Sequence, residues 1–213
     1  LEITWYGQSC FRIVERGRVV VVTDPFHESI GLAPLKLKAD VVTVSHESAG
    51  HSYVEGIKTP SRVLRGAGEY EIGNVFITGI ALHNVHEDPP RINIGYLFEY
   101  DNLTVLHLGD LAHLPDQSQI ENLGAVSVLL VPVGGGGGLK AAEAAEVVSL
   151  IEPHYIIPMH YALPGLAFEL EPVDKFLKTM GVSKVNEAET LKLSAGELPE
   201  QPQVVVLQPQ VTV

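Results

Sequence analysis

Three apolar stretches of this chain break off into side chains that can bind a metal or move a proton. Val41-Val42-Thr43-Val44 runs into Ser45-His46-Glu47-Ser48-Ala49-Gly50-His51. Thr104-Val105-Leu106-His107-Leu108 runs into Gly109-Asp110, and Tyr155-Ile156-Ile157-Pro158-Met159 into His160. A fourth stretch, Val75–Leu82, ends at His83. Buried strands that deliver imidazoles and a carboxylate at their ends point them into a sheet-edge crevice, where open α/β folds bind ligands. His46, His51, His83, Asp110 and His160 form a candidate set for zinc, manganese or iron. Asp110, after a strand-ending glycine, is the candidate catalytic carboxylate, because its two oxygens can serve two cations. The only cysteine is Cys10, so neither an internal disulfide nor a thiolate zinc cluster is available.

The elements that must position these groups follow from patterning. Leu1–Tyr6 alternates and reads as a first strand rather than a signal peptide. Cys10–Val14 and Val19–Thr23 read as a hairpin, its second arm apolar on both faces and therefore central. Asn93–Tyr100 and Leu103–Leu108 read as another, turning at Asp101-Asn102. Val126–Val133, Tyr155–Met159, Thr190–Leu193 and Val204–Leu207 read as strands. Leu139–Ile151, rich in alanine and glutamate, is the strongest helix, with shorter ones at Pro115–Asn122 and Pro172–Thr179. Strands followed by helices in two broad halves suggest a sheet-on-sheet core flanked by helices.

With 213 residues, 46% of them hydrophobic and 19% charged, the chain is sized for one globular domain spanning 1–213. A formal charge of −12 repels phosphate backbones and argues against nucleic-acid binding. No apolar run approaches the ~20 residues of a membrane span. The expected setting is cytoplasmic, with a small-molecule partner; oligomeric state stays open.

Taken together, Thr4-Trp5-Tyr6-Gly7, Thr23-Asp24-Pro25-Phe26, Ser45-His46, His107-Leu108-Gly109-Asp110-Leu111, Leu130-Val131-Pro132-Val133-Gly134-Gly135 and Ile157-Pro158-Met159-His160-Tyr161 span most of the chain. In order and spacing they resemble the metallo-β-lactamase superfamily, in particular its L-ascorbate-6-phosphate lactonase-like branch of small zinc-dependent hydrolases. The resemblance implies a four-layer αββα sandwich with a one- or two-metal site at one edge. It also implies that His46 and His83 belong to one metal, His51 and His160 to the other, and that Asp110 bridges them.

The departures are specific. The family signature His-x-His-x-Asp-His reads His46-Glu47-Ser48-Ala49-Gly50-His51 here, so Ser48 replaces a histidine and Gly50 the aspartate. Gln8 stands where the family often has a histidine. Each half-site keeps two imidazoles and a share of one carboxylate. That set can hold one catalytic ion with an open position, so the expected content is one ion per chain or none. Glu47 lies nearby, but the matching family position is not a ligand.

Gly134–Gly138, ahead of the long helix, either offers its amides to an anionic group or is a plain connector; Gly134 and Gly135 are the candidate substrate contacts. Tyr161 either lines the pocket or packs. His113 either supports the site or is structural, and His86 is a further pocket candidate. His107 reads as a core residue, His27 and His154 as surface-loop residues, and Cys10 as a small buried hydrophobe. The chain thus reads as a metal-dependent hydrolase of a small anionic ester, lactone or phosphoester. The alternative is a superfamily member that has lost catalysis and serves a binding or structural role.

Overall fold

The computed structural model describes residues 1–82, 90–121 and 123–210. In chain order the elements are β1 (Glu2–Trp5), β2 (Phe11–Val14), β3 (Val21–Thr23), β4 (Leu37–Lys38), β5 (Val41–Thr43), β6 (Ile57–Lys58), β7 (Arg62–Leu64) and β8 (Gly68–Ile72). Then follow β9 (Val75–Ala81), β10 (Ile94–Tyr100), β11 (Leu103–His107), α1 (Gln117–Glu121), β12 (Val128–Pro132), α2 (Ala141–Ile151) and β13 (Tyr155–Met159). The chain closes with α3 (Val173–Thr179), β14 (Asn186–Ala188), β15 (Thr190–Lys192) and β16 (Gln203–Leu207).

Two sheets carry the architecture. The six-stranded sheet has the order β15-β1-β2-β3-β5-β7, and the eight-stranded sheet β14-β16-β13-β12-β11-β10-β9-β8; β4 and β6 form a small ribbon. Their inner faces share one core, in which Ile3, Trp5, Phe11 and Val41 of the first sheet meet Ile77, Tyr96, Phe98 and Val105 of the second. The Tyr96 hydroxyl donates across the sandwich to the carbonyls of Val44 and Leu64. Fully burying each such aliphatic side chain contributes about 1.5–3 kcal/mol.

The period of two in a strand assigns the other face. Val21 and Val41 lie in the inter-sheet core, while Val22 and Val42 join Phe26, Ile30, Leu35 and Ile57 in a second cluster outside the first sheet. That outer layer is the 26–58 segment with two short 3-10 turns rather than a long helix. On the outside of the second sheet α2 buries Ala141, Ala144, Val147, Val148 and Ile151. The arrangement is the expected αββα sandwich, with one thin outer layer. The hairpin arm expected from Val19 begins only at Val21. Val20 leaves the ladder because its N–H is held 2.7 Å from Asp40 Oδ2.

The functional edge follows from strand direction. β3, β5 and β7 run parallel, and so do β11, β12 and β13. Their carboxyl ends release Asp24, Ser45-His46, Gly109-Asp110, Gly134 and His160 at one rim of the sandwich.

Candidate metal centre

His46, His51 and Asp110 each offer one ligand atom, and these atoms lie within 4.8 Å of one another. The rings of His46 and His51 are 4.2 Å apart by centroid, and those of His51 and His160 5.4 Å. His160 Nδ1 lies 3.8 Å from Asp110 Oδ1. Three of the five ligand residues expected from sequence therefore converge, and a fourth, His160, lies beside Asp110 and His51. The fifth, His83, and the pocket candidate His86 lie outside the described residues. His46 and His51, assigned to different ions by the family resemblance, close on the same centre here.

The hydrogen bonds fix which nitrogens face that centre. His51 Nδ1 lies 2.8 Å from Asp24 Oδ2, so an Nδ1–H donates to a buried carboxylate and Nε2 is the nitrogen left for a metal. Ser45 Oγ donates to the same carboxylate at 2.6 Å, while the Ser45 amide donates to Asp24 Oδ1 at 2.7 Å. A hydroxyl has one proton. With it spent on Asp24, Ser45 Oγ accepts from His46 Nδ1 at 3.1 Å, and His46 Nε2 is also left as a donor to metal. One carboxylate thus sets both imidazoles, one directly and one through a serine.

Electrostatics keep His46 and His160 unprotonated. Burial pushes the pKa values of His46 and His160 down to about 4, with His51 adding to the effect in both and the Asp110 charge opposing it. For Asp24, burial raises the pKa, but the hydrogen bond and charge of His51, together with His107 and Ser45, outweigh it and hold the group below the ordinary carboxylate value.

Asp110 is buried. Asn93 Oδ1 accepts from its amide at 2.9 Å and Asn93 Nδ2 donates to the Leu108 carbonyl. Its Oδ2 is paired with the Arg91 guanidinium, which also donates to the Gly137 carbonyl. Its Oδ1 has no hydrogen-bond partner among the described residues, and neither does the buried His160 Nδ1. Buried polar atoms are almost always paired. Two of them side by side, too far apart to bond each other, are what a cation held by both would satisfy. The donors fit a divalent zinc, manganese or iron ion: neutral imidazoles and one carboxylate.

Backbone geometry at this rim is unusual. Gln8, Asp24 and His160 all have positive φ (50°, 37° and 52°), the left-handed region that costs non-glycine residues about 1–3 kcal/mol each. The His160 amide is tied to the Gln8 carbonyl at 3.1 Å. The Gln8 side-chain amide is buried with neither atom partnered among the described residues.

The glycine run corrects an expectation. Gly134 N–H donates to the His160 carbonyl, Gly135 N–H to Leu139, and Gly138 N–H to Gly135, so these amides are spent inside the fold rather than turned to an anion. What the run supplies is clearance. A Cβ at Gly134 would lie 2.4 Å from the His160 carbonyl oxygen, and one at Gly138 2.4 Å from Asp110 Oδ1. Tyr161 packs on Trp5 with ring centroids 5.1 Å apart and belongs to the core. His113 is half-buried on the loop after Asp110, near Asp116. Glu47 is exposed and paired with Arg65, so it does not take the place of the acid missing at Gly50. A cavity of about 330 Å³ adjoins the centre, with Ser45, His46, Arg65 and Arg91 among its lining residues.

His107 is structural, as expected: Nε2–H donates to the Ser9 carbonyl and Nδ1 accepts from the Gly109 amide, a neutral ring that bolts the two sheets together behind Asp110. The residues sequence reasoning passed over are Asp24, Ser45, Asn93 and Arg91. Asp24 carried the same signal as Asp110, a carboxylate just beyond an apolar strand.

Comparison with known proteins gives the family and the fold. A family model described as a β-lactamase superfamily domain matches residues 2–160. A crystal structure from Thermotoga maritima, described as a candidate zinc-dependent hydrolase of the metallo-β-lactamase superfamily, is 38% identical, with a TM-score of 0.78 and 97% of each chain covered. A UPF0173 metal-dependent hydrolase of Thermococcus onnurineus is 26% identical over 94% of this chain and 99% of its own. The metallo hydrolase Igni18 of Ignicoccus hospitalis is 20% identical with a TM-score of 0.67, covering 91% of this chain and 99% of its own; it shares the fold.

Proposed function

The chain belongs to the metallo-β-lactamase superfamily, alongside the UPF0173 metal-dependent hydrolases, and from that premise we propose that it hydrolyses a small anionic ester, lactone or phosphoester with one divalent ion. The observation that carries this reading is the convergence of His46, His51, Asp110 and His160, with Asp110 Oδ1 and His160 Nδ1 buried and unpartnered.

His46, His51, Asp110 and His160 would hold the ion. Bound there, it supplies Lewis acidity toward a carbonyl or phosphoryl oxygen and makes water nucleophilic near neutral pH. The protein's own contribution is orientation and charge. Asp24 and Ser45 lock the ring tautomers of His51 and His46. Asp110, held on Oδ2 by Arg91, would offer its unpartnered Oδ1 to that ion. Arg91, Arg65 and Glu47 line the adjoining cavity, the last two paired with each other, so Arg91 is the guanidinium that would meet an anionic group there.

The lactonase-like branch is the model for substrate type, and a lactone bearing a phosphate or carboxylate is the first compound to try. A specific observation supports the second reading, a non-catalytic relative: with Ser48 and Gly50 in the signature and Glu47 turned to Arg65, the signature stretch supplies no carboxylate in place of the lost acid. Restoring Ser48→His with Gly50→Asp separates the two. A Cβ at Gly50 would meet only Ser48 Oγ, at 3.9 Å, so the added side chain has room. If the unaltered, zinc- or manganese-loaded protein turns over bis-p-nitrophenyl phosphate or a simple lactone, and Asp110→Asn does not, the hydrolase reading stands. Activity that appears only in the restored variant makes the natural chain a non-catalytic relative.

A further inference from the structure

We propose that Arg91 is the second cation of this centre: its guanidinium occupies the side of Asp110 where a bridging carboxylate would meet a second metal ion, so that the site takes a single divalent ion. The inference rests on the metal-dependent reading above and specifies how this chain satisfies it.

The two oxygens of Asp110 have been divided. Oδ2 is paired with Arg91, whereas Oδ1 faces His160 and has no hydrogen-bond partner among the described residues. The guanidinium is held from a second direction by the Gly137 carbonyl. It is also held through the chain, because Asn93, two residues on, bonds the Asp110 amide and the Leu108 carbonyl. Arg91, its side chain 35% exposed, is therefore tied to the same bracket as Asp110 from its solvent side.

Charge makes the two occupants exclusive. A second dication on Oδ2 would lie against a guanidinium that cannot be deprotonated, with the other dication a few ångströms away. The signature position that would supply a further carboxylate is Gly50. With Arg91 on Oδ2, Asp110 is neutralised on one side and one ion on Oδ1 completes the set with neutral imidazoles. Arg91 also lines the cavity beside His46, so it brings a fixed positive charge to the substrate side without a second ion.

The test is metal content and manganese EPR on chelator-stripped protein reloaded with Zn²⁺ or Mn²⁺, in four forms: wild type, Gly50→Asp, Arg91→Met/Gly50→Asp and Arg91→Lys/Gly50→Asp. The proposal expects one ion per chain and an uncoupled Mn²⁺ spectrum in wild type, in Gly50→Asp and in the lysine form, which keeps the charge. It expects two ions and a spin-coupled spectrum in Arg91→Met/Gly50→Asp. Two ions in wild type or in Gly50→Asp alone would overturn the role of Arg91 while leaving the metal-dependent reading intact. One ion in a folded Arg91→Met/Gly50→Asp protein overturns it as well. No ion in wild type overturns both. Gly50→Asp alone keeps the test decisive even if Arg91→Met fails to fold.

Discussion

Asp24 and His51, 27 positions apart in sequence, are joined by a 2.8 Å hydrogen bond in a buried pocket, and that contact sets the orientation of the His51 ring. The carboxylate that accepts from His51 also accepts from Ser45, which in turn accepts from His46. Asp24→Asn cannot accept from both donors at one oxygen while keeping its own amide protons satisfied. Metal affinity should fall about 10- to 100-fold, with the circular dichroism spectrum retained. Competition against a chromophoric chelator measures it; unchanged affinity would mean that the two imidazoles are held by something other than Asp24.

Gly138 controls the same centre sterically. A methyl group there would lie 2.4 Å from Asp110 Oδ1, the oxygen left open for a ligand. Gly138→Ala should leave the fold in place and weaken metal uptake at least about tenfold by turning the carboxylate. Titration calorimetry on the stripped variant checks this, with Gly196→Ala, where a Cβ meets nothing within 4 Å, as the control.

Much of this centre was legible because its ligands sit where apolar strands stop. His46, Asp110 and His160 each follow a buried β-branched or apolar run, and strand direction then carried them to one rim. His51 followed from its place in the same polar turn. Asp24 was equally visible, as a carboxylate after Val21–Thr23, but its meaning lies in a partner 27 residues away, which no local pattern encodes. Arg91 had no local signal at all; it lies in a polar loop beside Pro90. The glycine run misled because flexibility and clearance look identical in sequence. Only the structure shows that the amides of Gly134, Gly135 and Gly138 are already bonded and that the missing side chains of Gly134 and Gly138 make room for His160 and Asp110. The β8 strand escaped notice for a related reason. Gly73 and Asn74, both at positive φ, form the turn expected before β9, but the opposite arm, Glu69-Tyr70-Glu71, is a half-exposed edge with little apolar content.

His107 separates stability from metal binding. Its ring joins the Ser9 carbonyl and the Gly109 amide inside the core. His107→Leu leaves the buried Gly109 amide unpaired, at a cost of about 1–3 kcal/mol, while the Ser9 carbonyl keeps the Thr23 hydroxyl as a donor. Denaturant unfolding of stripped protein should show a loss of about 1–3 kcal/mol. A loss seen only in metal-loaded protein would assign His107 to the ligand system instead.

Acid should weaken the metal-free fold in two stages. His46 and His160 have folded-state pKa values of about 4 against an ordinary 6.5, so between those values the unfolded chain binds more protons. Stability is therefore full above about pH 6.5 and falls as pH drops toward 4. Asp24, whose folded value is depressed, contributes stability above its ordinary 3.8 that is lost as pH falls further. Urea midpoints of stripped protein between pH 8 and pH 3 measure this. A flat profile from pH 6.5 to 4 would show that the two histidines are not held neutral by burial.

The most direct measurement is the metal content of chelator-stripped protein after reloading with zinc or manganese, read beside Asp110→Asn. The convergence of His46, His51, Asp110 and His160 predicts one ion per chain in the unaltered protein and a large loss in the variant. Less than ~0.1 ion per chain in the unaltered protein, or equal content in Asp110→Asn, would contradict it.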